Sequence, residues 1–254
     1  MQRNPKKVKK LIRSKDGFVC AYPGCNSPFL EYHHFDPPWN VENHNNPDGI
    51  IALCPTHHGH ADGGMFSKEE LKEWKEKMKL IKSSEIGSRL PWIKNKIGVI
   101  LGGNLCVHNK YELMINNSPV IWFNKIHDYS YLNINLTDEN GNTLIKMEDN
   151  DWEVKNELIL DLECSPYGKE INISFKNGDF LNLRFVSYEH EEKFISSYKA
   201  FSHGLQEFFP LSIVEINANL FNGSIKLKNE MKIDNSKLKG VVSAYNTCGI
   251  SINN

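Results

Sequence analysis

The spacing of apolar residues changes about a third of the way along the chain, from a helical period to a strand period. In the first part, Ser67-Lys-Glu-Glu70 is a capping box, in which a serine and a glutamate cap each other's backbone at the start of a helix. Apolar residues then follow at helical spacing: Leu71, Trp74, Met78 and Ile81. This pattern predicts a helix from Ser67 to about Lys82.

A shorter helix is predicted over residues 4–14. Asn4 can cap it, Pro5 suits its first turn, and its apolar stripe consists of Val8, Leu11 and Ile12. The other face carries five cations: Lys6, Lys7, Lys9, Lys10 and Arg13. A lysine-rich face is usually just solvated, but lysines beside a phosphodiester site would also neutralise phosphates. We expect contact with DNA, because the rest of the protein is acidic.

Between the two helices the pattern is short and rich in turns. Residues 18–34 predict a β-hairpin, residues 35–49 a loop, and Ile50–Leu53 a brief strand or the entry to a helix. Residues 83–91 have the composition of a linker. We therefore predict a front domain over residues 1–85, a linker over 86–91 and a second domain over 92–254.

The second domain has the pattern of β-strands. Asn-Gly pairs at 140–141, 177–178 and 222–223 lie between alternating apolar runs, which is the strongest local signal for a hairpin. Strands are predicted at Tyr131–Leu136, Leu158–Leu162, Ile171–Phe175, Phe180–Val186 and Ile213–Leu220. Only Glu189–Phe209 has a helical pattern. The fold class is therefore α+β, with a small front domain followed by a mostly antiparallel β domain, sandwich or barrel-like.

Composition and charge narrow the class of protein. Of the 254 residues, 40% are apolar and 24% are charged, as in soluble globular proteins. The sequence contains no apolar run long enough to cross a membrane and no secretory signal, so cytoplasmic residence is expected. Residues 1–90 carry 14 basic and 11 acidic side chains, whereas residues 91–254 carry 16 and 20. The basic character lies at the front.

The cysteines fall into two groups. Cys20 and Cys25 are one pair of potential ligands, and Cys54 and His57 are another, so together they form a Cys3His set suited to a structural zinc ion. The other three lie alone in apolar stretches and are expected in the core: Cys106, Cys164 and Cys248. A disulfide framework is not expected.

Three further histidines lie close to this set in the sequence but are not needed to complete it: His33, His34 and His58. Histidines beyond a closed zinc shell indicate a second, catalytic centre, because imidazole can both bind a metal ion and exchange protons near neutral pH. A purely structural zinc knuckle with surface histidines is the plainer alternative. Trp39 could stack on a base or fill the domain interface, and the interface is favoured. His44 is interpreted as an ordinary loop histidine.

In the order Cys-x4-Cys, Tyr-His-His and Ile-Ala-Leu-Cys-Pro-x-His-His, roughly residues 15–80 resemble the HNH (His-Me finger, ββα-metal) endonuclease family, in its zinc-stabilised subgroup. The resemblance implies His34 as the general base, with His33 and His58 as ligands of a catalytic divalent cation such as Mg²⁺ or Mn²⁺. His60 and Asp62 are candidates for holding water or phosphate. One position departs from the family pattern, since Gly49 stands where the family usually has an asparagine that braces the loop. Asn45, Asn46 and Asp48 are the candidates for that bracing role.

Two functions compete on this evidence. The first is a metal-dependent DNA endonuclease whose β domain targets, regulates or oligomerises it, with bacterial defence or restriction as a setting by analogy. The second is a catalytically degenerate, zinc-stabilised module that binds nucleic acid or protein. Because a double-strand cut usually needs two copies of a one-metal site, a homodimer or higher homo-oligomer through the β domain is expected.

Overall fold

The computed structural model describes residues 5–80, 83–233 and 236–253. The front of the chain begins with a helix and then forms two short strands and two more helices: α1 (Pro5–Lys15), β1 (Glu31–His34), β2 (Ile50–Leu53), α2 (Pro55–Asp62) and α3 (Lys68–Met78). The predicted cap Asn4 and the predicted helical residues Ile81 and Lys82 lie outside the described residues. Helix α3 begins as predicted, with both hydrogen bonds of the capping box between Ser67 and Glu70.

The rest of the described chain is mostly β-structure with one short helix, α4 (Glu191–Ser197). Its strands are β3 (Glu85–Arg89), β4 (Ile97–Leu101), β5 (Asn104–Val107), β6 (Tyr111–Ile115), β7 (Ser118–Ile126), β8 (Tyr129–Thr137), β9 (Thr143–Glu148), β10 (Asp151–Lys155), β11 (Ile159–Cys164), β12 (Glu170–Phe175), β13 (Phe180–Tyr188), β14 (Leu211–Leu220), β15 (Ile225–Leu227), β16 (Met231–Ile233), β17 (Ser236–Leu238), β18 (Val242–Ala244) and β19 (Cys248–Ile252). All five predicted strands and the three Asn-Gly connections are confirmed.

Strands β1 and β2 pair antiparallel, with His33 opposite Ile51 and His34 opposite Ile50, and α2 follows β2 directly. Residues 18–34 do not form the predicted hairpin, because β1 takes β2 as its partner and residues 20–27 close a tight loop. Helices α1 and α3 supply buried residues to the same small core, whose members include Ile12, Ile51, Leu53 and Leu71.

Two larger sheets make up the rest of the fold. One has the strand order β19-β6-β7-β8-β9-β10-β3, and the other has β11-β12-β13-β14-β15-β16-β17, with β4, β5 and β18 attached beside β14. Most pairings are antiparallel; the parallel ones are β4 with β14, β18 with β5 and β19 with β6. Within the described residues neither sheet closes into a barrel, so the barrel-like alternative was wrong.

Buried residues from both large sheets form a single core around Trp152, Phe175 and Leu183. Strand β14 begins with four consecutive buried residues, Leu211 to Val214, because α4 and the segment after it cover its outer side. Cys106 and Cys164 are buried as predicted, Cys248 is half-buried, and all six cysteines are free. No described helix combines the length and the apolar character that crossing a bilayer requires.

The segment predicted as a linker, 86–91, contains a strand instead. Strand β3 pairs antiparallel with β10 along its whole length, from Glu85 opposite Lys155 to Arg89 opposite Asp151. The polar composition of this segment suggested a linker. Two apolar residues of the segment are nevertheless buried: Ile86 in the strand and Leu90 directly after it.

The helix predicted over 189–209 is broken. Only α4 and a short 3-10 turn at Gln206–Phe208 are helical. Gly204 has a φ of +117°, which a helix cannot accommodate. The buried carboxylate of Glu191 accepts hydrogen bonds from the backbone N–H groups of Gly204 and Leu205, which holds the chain in this turn.

The front elements and the β sheets are packed against each other. Phe18 and Val19 belong to the core of the β sheets. Arg13 is 4% exposed and binds Asp161 on β11 with two hydrogen bonds of 2.8 Å, while its Nη2 lies 3.2 Å from Glu163. Burial opposes its charge, but hydrogen bonds to Asp161 and the neighbouring groups raise the pKa of Arg13 above its usual value. The guanidinium of Arg13 is therefore occupied at this interface, an arrangement that disfavours the predicted contact with DNA.

We expect Arg13→Ala to destabilise the protein by about 3 kcal/mol, because it leaves a carboxylate at the interface without its partner. Lys10→Ala is the matched control, since Lys10 is exposed on the same helix and lies 3.6 Å from the same Asp161. It should cost less than about 1 kcal/mol. Urea denaturation measures both free energies of unfolding, and equal effects would contradict the role given to Arg13.

Candidate metal centres and catalytic cleft

The predicted Cys3His set is brought together. His57 Nδ1 lies 3.4 Å from Cys20 Sγ and 3.2 Å from Cys54 Sγ, and the Cys25 and Cys54 sulfurs are 4.0 Å apart. A tetrahedron with metal–sulfur bonds of about 2.3 Å and metal–nitrogen bonds of about 2.0 Å has edges of about 3.5–3.8 Å. The four ligand atoms are therefore spaced to hold a metal ion such as zinc.

Local backbone structure explains why these ligands converge. The loop that carries the first two cysteines docks on β2, where Ala21 N–H donates to the Ala52 carbonyl oxygen at 2.9 Å. Cys54 directly follows β2 and is the N-cap residue of α2, which places His57 in the first turn of the helix. The His57 ring stacks on Tyr22 with a centroid distance of 3.8 Å, which fixes its orientation.

Burial raises the pKa of the Cys20 and Cys25 thiols above the ordinary value. Without a cation these thiols are therefore held in their neutral form. A metal ion binds the thiolate, so occupation of this site would release protons.

A second group of potential metal ligands lies on the other side of α2. His33, His58 and Asp62 each place a ligand atom within 4.8 Å of the others. The Asp62 carboxylate joins the two rings, with Oδ1 3.0 Å from His33 Nδ1 and Oδ2 3.2 Å from His58 Nδ1. His57 and His58 serve different clusters because successive residues of a helix point about 100° apart.

Glu31 is a member of this cluster that the sequence analysis did not find. Its Oε2 lies 3.3 Å from His58 Nδ1. Alternate residues of a strand share a face, so Glu31 and His33 lie on the same side of β1. This alternation was the only sequence signal for Glu31, and a strand of four residues is too short to make it specific. Asp62 was predicted as an accessory residue, and here it lies between the two histidines.

His34 ends β1 at the edge of a cleft of about 790 Å³ that it shares with the His33 cluster. Its Nδ1 is buried without a hydrogen-bond partner among the described residues. The ring packs edge-on between Trp39 and His44, with centroid distances of 4.6 and 4.8 Å. The cleft lining includes His33, His34, Trp39, His58, Asp62 and Lys68.

Burial is the largest cause that lowers the pKa of both histidines on β1. Electrostatic interaction with neighbouring histidines adds to it, with His58 in the case of His33 and with His44 and His33 in the case of His34. The unprotonated imidazole is the form that binds a metal ion or accepts a proton. The surroundings therefore favour that form at both positions.

The loop that supports His34 is braced by a histidine. Asn46 N–H donates to His44 Nδ1 at 3.1 Å, so Nε2 carries the hydrogen and donates to the Pro37 carbonyl oxygen at 2.9 Å. His44 is buried, which corrects its interpretation as an ordinary loop residue. Asn46 Oδ1 also accepts from Asp48 N–H at 3.2 Å, whereas the Asp48 side chain is exposed.

Gly49 is required by close packing of the backbone. A Cβ atom there would collide with the Asp36 carbonyl oxygen, and the Gly49 carbonyl oxygen accepts hydrogen bonds from the N–H groups of Phe35 and Asp36. An asparagine at this position would separate the two ends of the loop. Asn45, the remaining candidate for the brace, lines a second cleft described below.

The basic helix is only partly available to a ligand. Lys9 lines the second cleft, and Lys10 lies beside Asp161 at the interface. Two others are exposed, Lys6 and Lys7. Contact between these lysines and DNA remains a prediction.

Two other predicted positions differ from expectation. His60 is exposed on α2 with its ring 6.0 Å from His57, so it lies on the Cys3His side and not in the cleft. Trp39 is 54% exposed and lines the cleft, so it does not fill the domain interface.

Comparisons with protein-family models, with curated proteins and with solved structures find no match to this chain.

The purified protein is expected to contain about one tightly bound zinc ion per chain. Cys25→Ser removes a ligand and should abolish tight binding, whereas Cys248→Ser changes a half-buried cysteine of β19 and should leave the zinc in place. Elemental analysis measures the content, and cobalt substitution should show thiolate charge-transfer absorption. Full zinc content in Cys25→Ser would contradict the assignment.

Proposed function

We propose that the protein is a metal-dependent DNA endonuclease of the HNH type. One observation carries the proposal: two histidines and a carboxylate converge beside a further histidine in one cleft, on an antiparallel strand pair followed by a helix. The order of elements is that of a ββα-metal site. The Cys3His cluster beside it would hold a structural ion.

Phosphodiester hydrolysis needs an activated water molecule, neutralisation of charge on the phosphate and help for the leaving oxygen. His33, His58 and Asp62 would hold a divalent cation, for which Mg²⁺ and Mn²⁺ are the candidates. Such an ion supplies charge neutralisation and Lewis acidity when bound. Glu31 fixes the orientation of His58 through its contact with Nδ1.

His34 is the general base in this proposal. It lines the same cleft as the proposed metal ligands, and its environment favours the neutral ring. His44 and Trp39 hold that ring between them, so its position is set before substrate binds. A proton taken from water would move onto the imidazole, and the resulting hydroxide would attack phosphorus.

The Cys3His cluster has a mechanical role in this mechanism. It joins the loop of Cys20 to the junction between β2 and α2, and α2 carries both His58 and Asp62. An ion there would fix the helix relative to β1. Double-strand cleavage would then take two copies of the chain, each supplying one such site.

We expect the wild-type protein to cleave plasmid DNA in Mg²⁺ or Mn²⁺ and to lose activity when the divalent ion is chelated. His34→Ala should reduce the rate by about 100-fold or more, because it removes the base without removing a metal ligand. Gel analysis of supercoiled plasmid measures both.

His60→Ala is the matched control, since His60 is an exposed histidine on α2, the helix that carries His58 and Asp62, and lies outside the cleft. It should cleave at the wild-type rate. Unimpaired cleavage by a folded His34→Ala protein would exclude the proposed mechanism. DNA binding without cleavage in any divalent ion would instead favour a catalytically degenerate binding module.

A further inference from the structure

A second cleft, of about 800 Å³, lies where the front elements meet β11 and β12. His34, His58 and Trp39 line both clefts, so the proposed catalytic side chains lie at their junction. From this arrangement we infer that the second cleft holds one unpaired nucleotide of a single DNA strand, with its base against Trp39. The inference rests on the proposed function and deepens it by naming the form of the substrate.

Trp39 is suited to stacking. It is 54% exposed and stands in the loop between β1 and β2, next to His34. Aromatic side chains bind bases of single-stranded DNA by stacking, with little dependence on sequence.

Charged side chains lie on both walls of the second cleft. The front wall carries Glu31, whose carboxylate contacts His58 Nδ1 at 3.3 Å, and a lysine. On the front wall Lys9 lies 5.2 Å from the centroid of the Tyr32 ring, and its ammonium group can contact one phosphate. The opposite wall, from β11 and β12, carries Glu163 and Glu170. Arg13, the other cation of this lining, is occupied by Asp161.

The carboxylates of Glu163 and Glu170 disfavour a duplex in this cleft. A duplex in the cleft would bring its second phosphate backbone towards the two carboxylates, and like charges repel. A single strand can place its phosphate near Lys9 and turn its base away from it. Its base is also free to stack, whereas both faces of a base inside a duplex are already covered.

The β wall can contact the polar edge of a base. Asn182 donates hydrogen bonds to Asn172 and to Glu170, at 2.7 and 2.8 Å, which holds both side chains in place before a ligand arrives. Carboxylates and amides of this kind accept from and donate to base edges. The β sheets would then form part of the substrate site itself.

The test is fluorescence anisotropy of a labelled mixed-sequence oligonucleotide, as a single strand and as its duplex, with the full chain and no added divalent metal. We expect the single strand to bind more tightly. Trp39→Ala should weaken that binding about 5- to 100-fold, and Trp39→Phe by less, because a smaller ring still stacks. Val41→Ala is the control, since Val41 is 72% exposed in the same loop and lines neither cleft.

The same variants are then compared in cleavage of both substrates with Mg²⁺ or Mn²⁺. Tighter binding of the duplex, or a Trp39→Ala protein that binds the single strand as well as wild type does, overturns the inference. Duplex cleavage at the same rate by wild type and Trp39→Ala also overturns the inference about the second cleft. That outcome would still support the proposed nuclease. Trp39-dependent binding of the single strand without cleavage of either substrate supports the binding site and removes the nuclease. Equal thermal stability of the Trp39 variants confirms that they fold.

Discussion

The structure of the candidate site depends on the junction between β2 and α2. Cys54 follows the strand, occupies the N-cap position of the helix and belongs to the Cys3His cluster. In the first turn of α2, His57 belongs to the Cys3His cluster and His58 to the cluster with His33 and Asp62. Antiparallel pairing of β2 with β1 brings His33 and His34 beside the same helix. One short junction thus fixes the distance between a structural centre and the proposed catalytic one.

The β sheets are attached to this junction by a charged contact. Arg13 joins α1 to β11 through Asp161, and Phe18 and Val19 continue the contact into the large core. Helix α1 also packs against β2. The same helix therefore contacts both the β sheets and the elements that carry the candidate catalytic residues. Residues of β11 and β12 line the second cleft directly, so the role proposed for the β sheets is at the substrate site.

Much of the fold and the site follows from local chemistry in the sequence. Cys3His spacing, the capping box at Ser67 and the Asn-Gly turns are short-range signals, and all of them hold. The failures have long-range causes. The pairing of β3 with β10, the buried pairing of Arg13 and the bracing role of His44 each depend on a partner that is distant in sequence or on burial that no periodicity shows. Glu31 was missed because its partner lies on another element.

The proposed mechanism requires that the His33 cluster be a second metal site, separate from the Cys3His cluster. The most direct measurement is titration of the zinc-loaded protein with Mn²⁺, followed by electron paramagnetic resonance. We expect the wild-type protein to bind about one Mn²⁺ per chain and His58→Ala to lose that ion while its zinc content is unchanged. Absence of Mn²⁺ binding by the wild-type protein, or undiminished binding by His58→Ala, would contradict it.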